Sequence, residues 1–141
     1  MSNAATNVGT DAKPEFLPLE NGDYLIRMLT LEETKSKKGD TMLKAKFQVV
    51  QKVGGDKEAK GIKGRIVFEN FLLTHSNPKV VEIHTEKLSN YAKAVGIDND
   101  LNGDFSVLAD YLESPFVGKL TIQEGTNGYK DQNRIASYSR R

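Results

Sequence analysis

The sequence contains no cysteine and only two histidines, His75 and His84. The absence of thiols excludes disulfides, thiolate metal sites and a cysteine nucleophile. The two histidines do not have the spacing of metal ligands, and the G-x-S-x-G, Walker and H-E-x-x-H motifs are missing as well. We therefore expect neither catalysis nor a cofactor, and the alternative is a nuclease that holds magnesium through carboxylates.

Long apolar runs are also absent, since no segment approaches the roughly 20 apolar residues that a membrane helix needs. The first residues are rich in Ala, Asn and Thr, without the basic start and apolar stretch of a signal peptide. We predict a disordered leader over residues 1–18 and a single domain over residues 19–141. The lack of cysteine fits a reducing, cytoplasmic location.

The net charge is only +1, but the two signs are segregated along the chain. Between Lys35 and Arg65, ten basic residues outnumber three acidic ones, so this segment carries +7. Between Ser76 and Ser114, seven acidic residues outnumber three basic ones. A basic block on one side of a domain is typical of proteins that bind polyanions, and the alternative is a solvated lysine face.

Alternation of apolar and polar residues predicts five strands. The clearest is 41–51, where every second residue from Leu43 is apolar and Lys44 and Lys46 point the other way. Strand three carries an aromatic residue on each face, so one of Phe68 and Phe71 is expected outside the core. The other predicted strands are 22–31, 61–74, 115–123 and 134–139.

One strong helix is predicted over residues 77–96. Asn77 can cap it, Pro78 suits its first position and Gly96 suits its end. A short second helix is predicted around 106–112. Three strands, a helix and two further strands form the order of an OB fold. We predict a mainly β, OB-fold-like five-stranded barrel with one helix between strands three and four; the alternative is another small α+β fold.

Basic residues in the first hairpin loop, on predicted strands two and three and around the last hairpin are the leading candidates for a binding surface. In an OB fold, the first hairpin, the outer faces of strands two and three and the last hairpin line one groove. Lysines along such a groove contact phosphates without reading sequence, because each ammonium is a mobile point charge. The candidates are Lys35, Lys37, Lys38, Lys44, Lys46, Lys63, Arg65, Lys130 and Arg134.

Unpaired bases also need flat side chains on which to stack, and each stack contributes about 1–3 kcal/mol. Tyr129 is the best candidate, because it lies between a glycine and a lysine in a polar loop. The further candidates are Phe68 or Phe71 on strand three and Tyr138 on strand five. For each phenylalanine, simple core packing is the alternative.

The segment from Asp98 to Phe105 matches the opening of a calcium loop, D-x-D-x-N-G, through Asp98, Asp100 and Asn102. The twelfth position of the loop should be a bidentate glutamate, but here it is Ala109. The alternative is a polar turn whose Asx side chains bond the local backbone. We therefore predict no metal site and keep the loop only as an incomplete calcium-like candidate.

Several short motifs are spread over the chain after the leader. They are Gly22-Asp23-Tyr24, Glu33-x-Lys35-x-Lys37-Lys38-Gly39, Lys63-Gly64-Arg65, Phe71-Leu72-Leu73, Leu88-x-x-Tyr91-Ala92-Lys93-Ala94-Val95-Gly96, Phe116-x-Gly118-Lys119, and Asn133-x-Ile135 with Tyr138. In order and spacing they resemble a family of small phage-encoded single-stranded-DNA-binding proteins, long catalogued as a domain of unknown function. The resemblance implies an OB-like fold and a role in phage DNA replication or recombination, in the cytoplasm of the infected host cell. It implies no residue-level site.

Together, the residues and the resemblance predict non-catalytic, largely sequence-independent binding of single-stranded DNA by a homo-oligomer. The resemblance also implies phage recombinase or replication proteins as partners. The sequence ends in the basic residues Arg140 and Arg141, whereas bacterial single-strand-binding proteins commonly end in an acidic, partner-recruiting tail, and we therefore do not expect recruitment of replication enzymes through such a tail. The alternative is a protein-interaction OB-like adaptor or structural module, in which the segregated charges serve docking or self-association.

Overall fold

The computed structural model describes residues 17–54, 61–97, 101, 104–126, 128 and 130–141. Within these residues the chain forms five strands, one α-helix and one 3₁₀-helix. The strands are β1 (Gly22–Lys35), β2 (Thr41–Lys52), β3 (Ile66–Leu72), β4 (Pro115–Gln123) and β5 (Gln132–Ser139), with helix α1 at Pro78–Ala94 and the 3₁₀-helix at Ser106–Tyr111. Neither of these described helices has the length and apolarity needed to cross a membrane.

All five strands belong to one antiparallel sheet in the order β3-β2-β1-β4-β5. The β1–β2 ladder extends from Tyr24 opposite Lys52 to Lys35 opposite Thr41, whereas β4 pairs with β1 only over Gly22–Arg27. Strands β3 and β5 are the two edges, and no backbone ladder joins them in the described residues. The mainly β class is thus confirmed, but the sheet is not closed into a barrel and the OB fold is not confirmed.

Two predicted boundaries differ from the structure by more than two residues. Strand β1 continues into the predicted loop, because Glu32–Lys35 pairs in register with Thr41–Lys44. Strand β3 begins at Ile66 because the preceding residues form a turn, in which Gly61 and Gly64 have φ angles of 81° and 91°. Glycine adopts such left-handed conformations at little cost, so these two residues favour the turn over a longer strand.

Helix α1 lies close to its predicted position and packs against β5 and β3, the two edges of the sheet. At its start, the Asn77 side chain accepts a hydrogen bond from the Lys79 N–H at 3.0 Å, and Pro78 occupies the first turn. At its end, Gly96 has a φ angle of 103° and stops the helix. Its residues Leu88 and Tyr91 are fully buried on the side that faces the sheet. The helix therefore covers the open side of the sheet at the place where its edges approach each other.

Four aromatic rings from four elements form the centre of the core: Phe47 of β2, Tyr91 of α1, Phe116 of β4 and Tyr138 of β5. In each of the six ring pairs the centroids lie 5.3–6.3 Å apart, within the range of favourable aromatic contacts. The hydroxyls of Tyr91 and Tyr138 are buried and have no hydrogen-bond partner among the described residues. Burial raises the pKa of both phenols.

The segment before β1 is tied to β5. The Leu19 N–H donates to the Asn133 side-chain oxygen at 2.7 Å, and the Asn133 amide donates back to the Leu19 carbonyl at 2.9 Å. The Tyr24 hydroxyl donates to the Glu20 carbonyl at 2.8 Å. Leu19 is buried and belongs to the packed domain. Residues 1–16 of the predicted leader lie outside the described residues.

We expect the ring of Tyr138 to matter for stability and its hydroxyl to matter little. Tyr138→Ala removes a ring that contacts three others, and it should lower the free energy of unfolding by about 3–5 kcal/mol. Tyr138→Phe removes only the unsatisfied hydroxyl, and it should change the same quantity by less than about 1 kcal/mol or raise it. Urea denaturation measures both, and equal losses in the two variants would contradict the proposed core role of the ring.

Candidate nucleic-acid interface

The outer faces of β2 and β3 combine an exposed ring with two lysines. Phe68 is 49% exposed and lies opposite Lys46 in the β2–β3 ladder. The Lys44 ammonium is 6.0 Å from the centroid of the Phe68 ring. Ile66, the next outward residue of β3, is also exposed. The sequence predicted that one of the two aromatic residues of strand three lies outside the core. That residue is Phe68, whose ring is exposed to solvent beside positive charge.

Phe71 and Tyr138 were predicted as possible stacking residues, and the structure corrects both assignments. Phe71 is 1% exposed and Tyr138 is 9% exposed, so neither offers a free ring face. Phe71 is separated from Phe68 by an odd number of positions, and alternate residues of a strand point to opposite faces. Tyr138 belongs to the four-ring core. Both residues are removed from the candidate interface.

The first hairpin supplies further lysines at one end of this face. Lys37 and Lys38 are exposed in the turn, and Lys35 at the end of β1 donates to the Thr41 hydroxyl at 2.7 Å. Glu32 of β1 lies opposite Lys44 in the ladder, which the predicted loop did not anticipate. An acidic residue therefore borders the lysines of β2, and the positive surface of Lys44 and Lys46 ends on the β1 side.

Lys63 and Arg65 precede β3 and have different environments. Lys63 is exposed in the turn. Arg65 donates to the Gly61 carbonyl at 3.2 Å and to the Leu17 carbonyl. The guanidinium therefore connects the turn before β3 to the segment before β1. Its charge still lies beside the candidate interface, but its first role is to position these two segments.

Two side chains link the edge strands β3 and β5. Arg134 donates to the Phe68 carbonyl at 3.1 Å and to the Gln123 side chain at 2.5 Å. The Glu69 carboxylate, which is buried, accepts from the Ile135 N–H at 2.9 Å. The bonds to the Phe68 carbonyl and from the Ile135 N–H each join a side chain of one edge strand to the backbone of the other. The two edges are thus joined by side chains across a seam that has no backbone ladder.

Glu69 was not identified from the sequence, although a charged residue at a core-facing position of an alternating strand is a recognisable signal. It shares the parity of Val67 and Phe71, the core-facing residues of β3. Burial raises the pKa of its carboxyl, and this effect outweighs the lowering by the Ile135 N–H and by nearby Arg134. A charged residue at a core-facing position is a marker of a buried polar contact, because burial without a partner is costly.

A cleft of about 320 Å³ lies where β3 begins and where the chain enters β5. Its walls are Pro18, Arg65, Ile66, Val67, Phe68, Lys130, Asp131, Gln132 and Asn133. The predicted site residues Arg65, Phe68 and Lys130 are therefore brought together, and Arg134 lies next to them on β5. Tyr129, the leading stacking candidate from the sequence, lies outside the described residues.

The calcium-like residues Asp98, Asp100 and Asn102 lie outside the described residues. Just after them, the Asp104 carboxylate accepts from the N–H and hydroxyl of Ser106, at 3.0 and 2.6 Å. These local bonds hold the pKa of Asp104 below its usual value. In the described part of the chain, no group of three or more His, Asp or Glu side chains could hold a metal ion.

His84 is a structural residue of the seam. Its Nδ1 accepts from the Leu72 N–H at 2.6 Å, and its ring contacts Phe71 edge-on at 6.5 Å. Burial, with smaller effects of Lys87 and His75, lowers its pKa. A neutral imidazole suits this acceptor role.

Comparison with known families gives one result that covers most of the chain. The model of the family described as "Protein of unknown function (DUF669)" matches residues 5–134. The chain belongs to this family. A search of curated proteins finds no match. Membership of DUF669 confirms the part of the sequence resemblance that concerns a family of unknown function, and it carries no statement about phage origin or DNA binding.

For this DUF669 member we expect Glu69 to make stability pH-dependent. Because its pKa is raised in the folded state, the folded protein binds this proton more tightly than the unfolded chain does. The parent should therefore gain stability relative to Glu69→Gln as the pH falls from about 7 to about 4. Urea denaturation across this range measures the difference, with Glu86→Gln on α1 as an exposed control. Parallel stability curves for parent and Glu69→Gln would contradict the expectation.

Proposed function

We propose that this chain binds single-stranded DNA without catalysis and largely without sequence preference, through the outer faces of β2 and β3. The observation that carries the proposal is the exposed Phe68 ring, which lies 6.0 Å from the Lys44 ammonium and opposite Lys46 in the ladder. Surfaces that bind single strands combine these two elements, an aromatic stacking platform and cations that follow the phosphates.

The arrangement suits an unpaired strand better than a duplex. A base can stack on Phe68 only when its face is free, whereas the bases of a duplex are stacked on one another. The ammonium groups of Lys44 and Lys46, on the neighbouring strand β2, then contact phosphates of the same DNA strand without reading its sequence. Lys37 and Lys38 in the first hairpin extend the positive charge beyond β2.

We further propose that the domain is a variant of the OB-like barrel. The sheet order β3-β2-β1-β4-β5 would become the cyclic order of that barrel if the two edge strands met. The bonds of Arg134 to the Phe68 carbonyl and of Glu69 to the Ile135 N–H support this proposal, because they cross between the edges. In this variant, side chains replace the last backbone ladder.

The biological setting of the proposed activity rests on the sequence resemblance. We propose a role in phage DNA replication or recombination, in the cytoplasm of the infected host cell. Phage recombinase or replication proteins are the proposed partners, and a homo-oligomer is the proposed assembly. This role requires binding of single-stranded DNA. Affinities for oligo-dT, duplex DNA and single-stranded RNA, measured side by side, test that requirement.

Removing two lysines from the interface should reduce the salt dependence of binding. For Lys44→Ala with Lys46→Ala, the slope of log affinity against log salt concentration should fall by about 1.4, because each lost phosphate contact contributes about 0.7 on single strands. Lys79→Ala with Lys93→Ala removes the same charge from α1 and should leave the slope unchanged. Equal slopes in the two double variants would refute the assignment of the interface.

Removing the exposed ring should weaken binding without weakening the fold. Phe68→Ala is expected to cost about 1–3 kcal/mol of binding free energy, the range for one lost stack. Ile83→Ala removes a similarly exposed apolar side chain from α1 and is the matched control. Fluorescence anisotropy with labelled oligo-dT measures both. No binding by the parent at low salt would favour the adaptor alternative, and degradation of the oligonucleotide with magnesium would favour the nuclease.

A further inference from the structure

The outer edge of β3 has backbone groups that no strand covers. The Phe68 carbonyl accepts from Arg134, and the Leu72 N–H donates to His84, so both residues direct their backbone groups away from β2. The N–H and C=O of one strand residue point to the same side, and the side alternates along the strand. Ile66 and Asn70 have the same parity as these two residues. Their backbone groups therefore also point towards the seam.

Side chains bind this edge at the Phe68 carbonyl and at the Leu72 N–H, and they leave it open at the start of the strand. Within the described residues, the Ile66 N–H, the Ile66 C=O and the Phe68 N–H have no hydrogen-bond partner. The open stretch ends at the Phe68 carbonyl, where the Arg134 guanidinium is bound. It consists of two donors and one acceptor beside the exposed Phe68 ring.

The same stretch of β3 forms a wall of the cleft of about 320 Å³. This volume is at the lower end of the range for pockets that hold small ligands, about 300–1,000 Å³. The cleft has apolar surface from Ile66 and Phe68 and positive charge from Arg65 at its rim. Gln132 lines the opposite wall, on β5.

We propose that this cleft holds one nucleobase of the bound strand. The proposal rests on the proposed function and adds a specific subsite to it. The base packs against Phe68 and Ile66, and its hydrogen-bonding edge meets the Ile66 C=O and the Phe68 N–H. Unpaired bases are commonly held in this way, by apolar contact with their faces and hydrogen bonds to their edges.

The short length of the open edge favours a base over a peptide strand. Addition of a strand to a sheet edge derives its affinity from main-chain hydrogen bonds along the edge. Here the Arg134 guanidinium is bound to the Phe68 carbonyl, so a peptide strand that paired along this edge towards Asn70 would meet it after one residue. A base needs only one donor and one acceptor. The nearby positive charges of Lys44 and Arg65 also favour a nucleotide, because its phosphates are negatively charged and a peptide backbone is not.

A mononucleotide tests the subsite independently of the strand. Thymidine 5′-monophosphate added at millimolar concentration to the full chain should shift the backbone amide resonances of Ile66 and Phe68 in ¹H–¹⁵N spectra. Deoxyribose 5-phosphate, which carries the phosphate but no base, should not shift them. Equal shifts with both compounds, or none with either, would overturn the proposal.

Filling the cleft tests the subsite in the bound strand. Gln132→Trp should weaken oligo-dT binding about tenfold, the effect of losing one base contact, whereas Ile83→Trp on α1 should not. If the parent binds oligo-dT through Phe68 but Gln132→Trp matches Ile83→Trp, the cleft proposal is wrong and the proposed function stands. If the parent binds no oligo-dT while thymidine monophosphate still shifts the two amides, the proposed function is wrong and the nucleotide site stands.

Discussion

The contact of four aromatic rings in the core determines which way the candidate interface faces. Phe47 is buried against Tyr91, Phe116 and Tyr138, and so β2 has only one possible orientation in the sheet. Because side chains alternate along a strand, the burial of Phe47 directs Lys46 outwards. A register shift of one residue would bury the lysine and expose the ring, at a large cost in free energy. The apolar core and the cationic face are thus two consequences of one alternation.

At the seam between β3 and β5, side chains protect the unpaired backbone groups that the edges of an open sheet expose. Uncovered strand edges are templates for pairing with other chains, and proteins protect them with charged side chains or covering elements. Here α1 covers one part of the seam, and Glu69 and Arg134 bind backbone groups across it. The carboxylate is costly to bury, but it satisfies an edge N–H that has no strand partner. Side chains leave gaps that a ladder would close, and the cleft is one of them.

Alternation of apolar and polar residues was sufficient to predict the five strands and the outward lysines of β2, and the signals at Asn77, Pro78 and Gly96 were sufficient to predict the helix. It could not decide between Phe68 and Phe71, because both faces of β3 carry large apolar residues and only the position of the neighbouring elements distinguishes them. Tyr138 was a stacking candidate on strand five, yet it packs in the core. The link between the edge strands was not predictable, since it depends on the curvature of the whole sheet.

The reciprocal bonds between Leu19 and Asn133 have a practical consequence. They fix the beginning of the domain beside the residues that lead into β5, and Pro18 forms part of the cleft wall. An affinity tag or fluorophore attached upstream is therefore joined to the protein at the rim of the cleft, where it can compete with a ligand. Surface immobilisation or labelling through α1, for instance at Lys79, keeps the reporter on a different element.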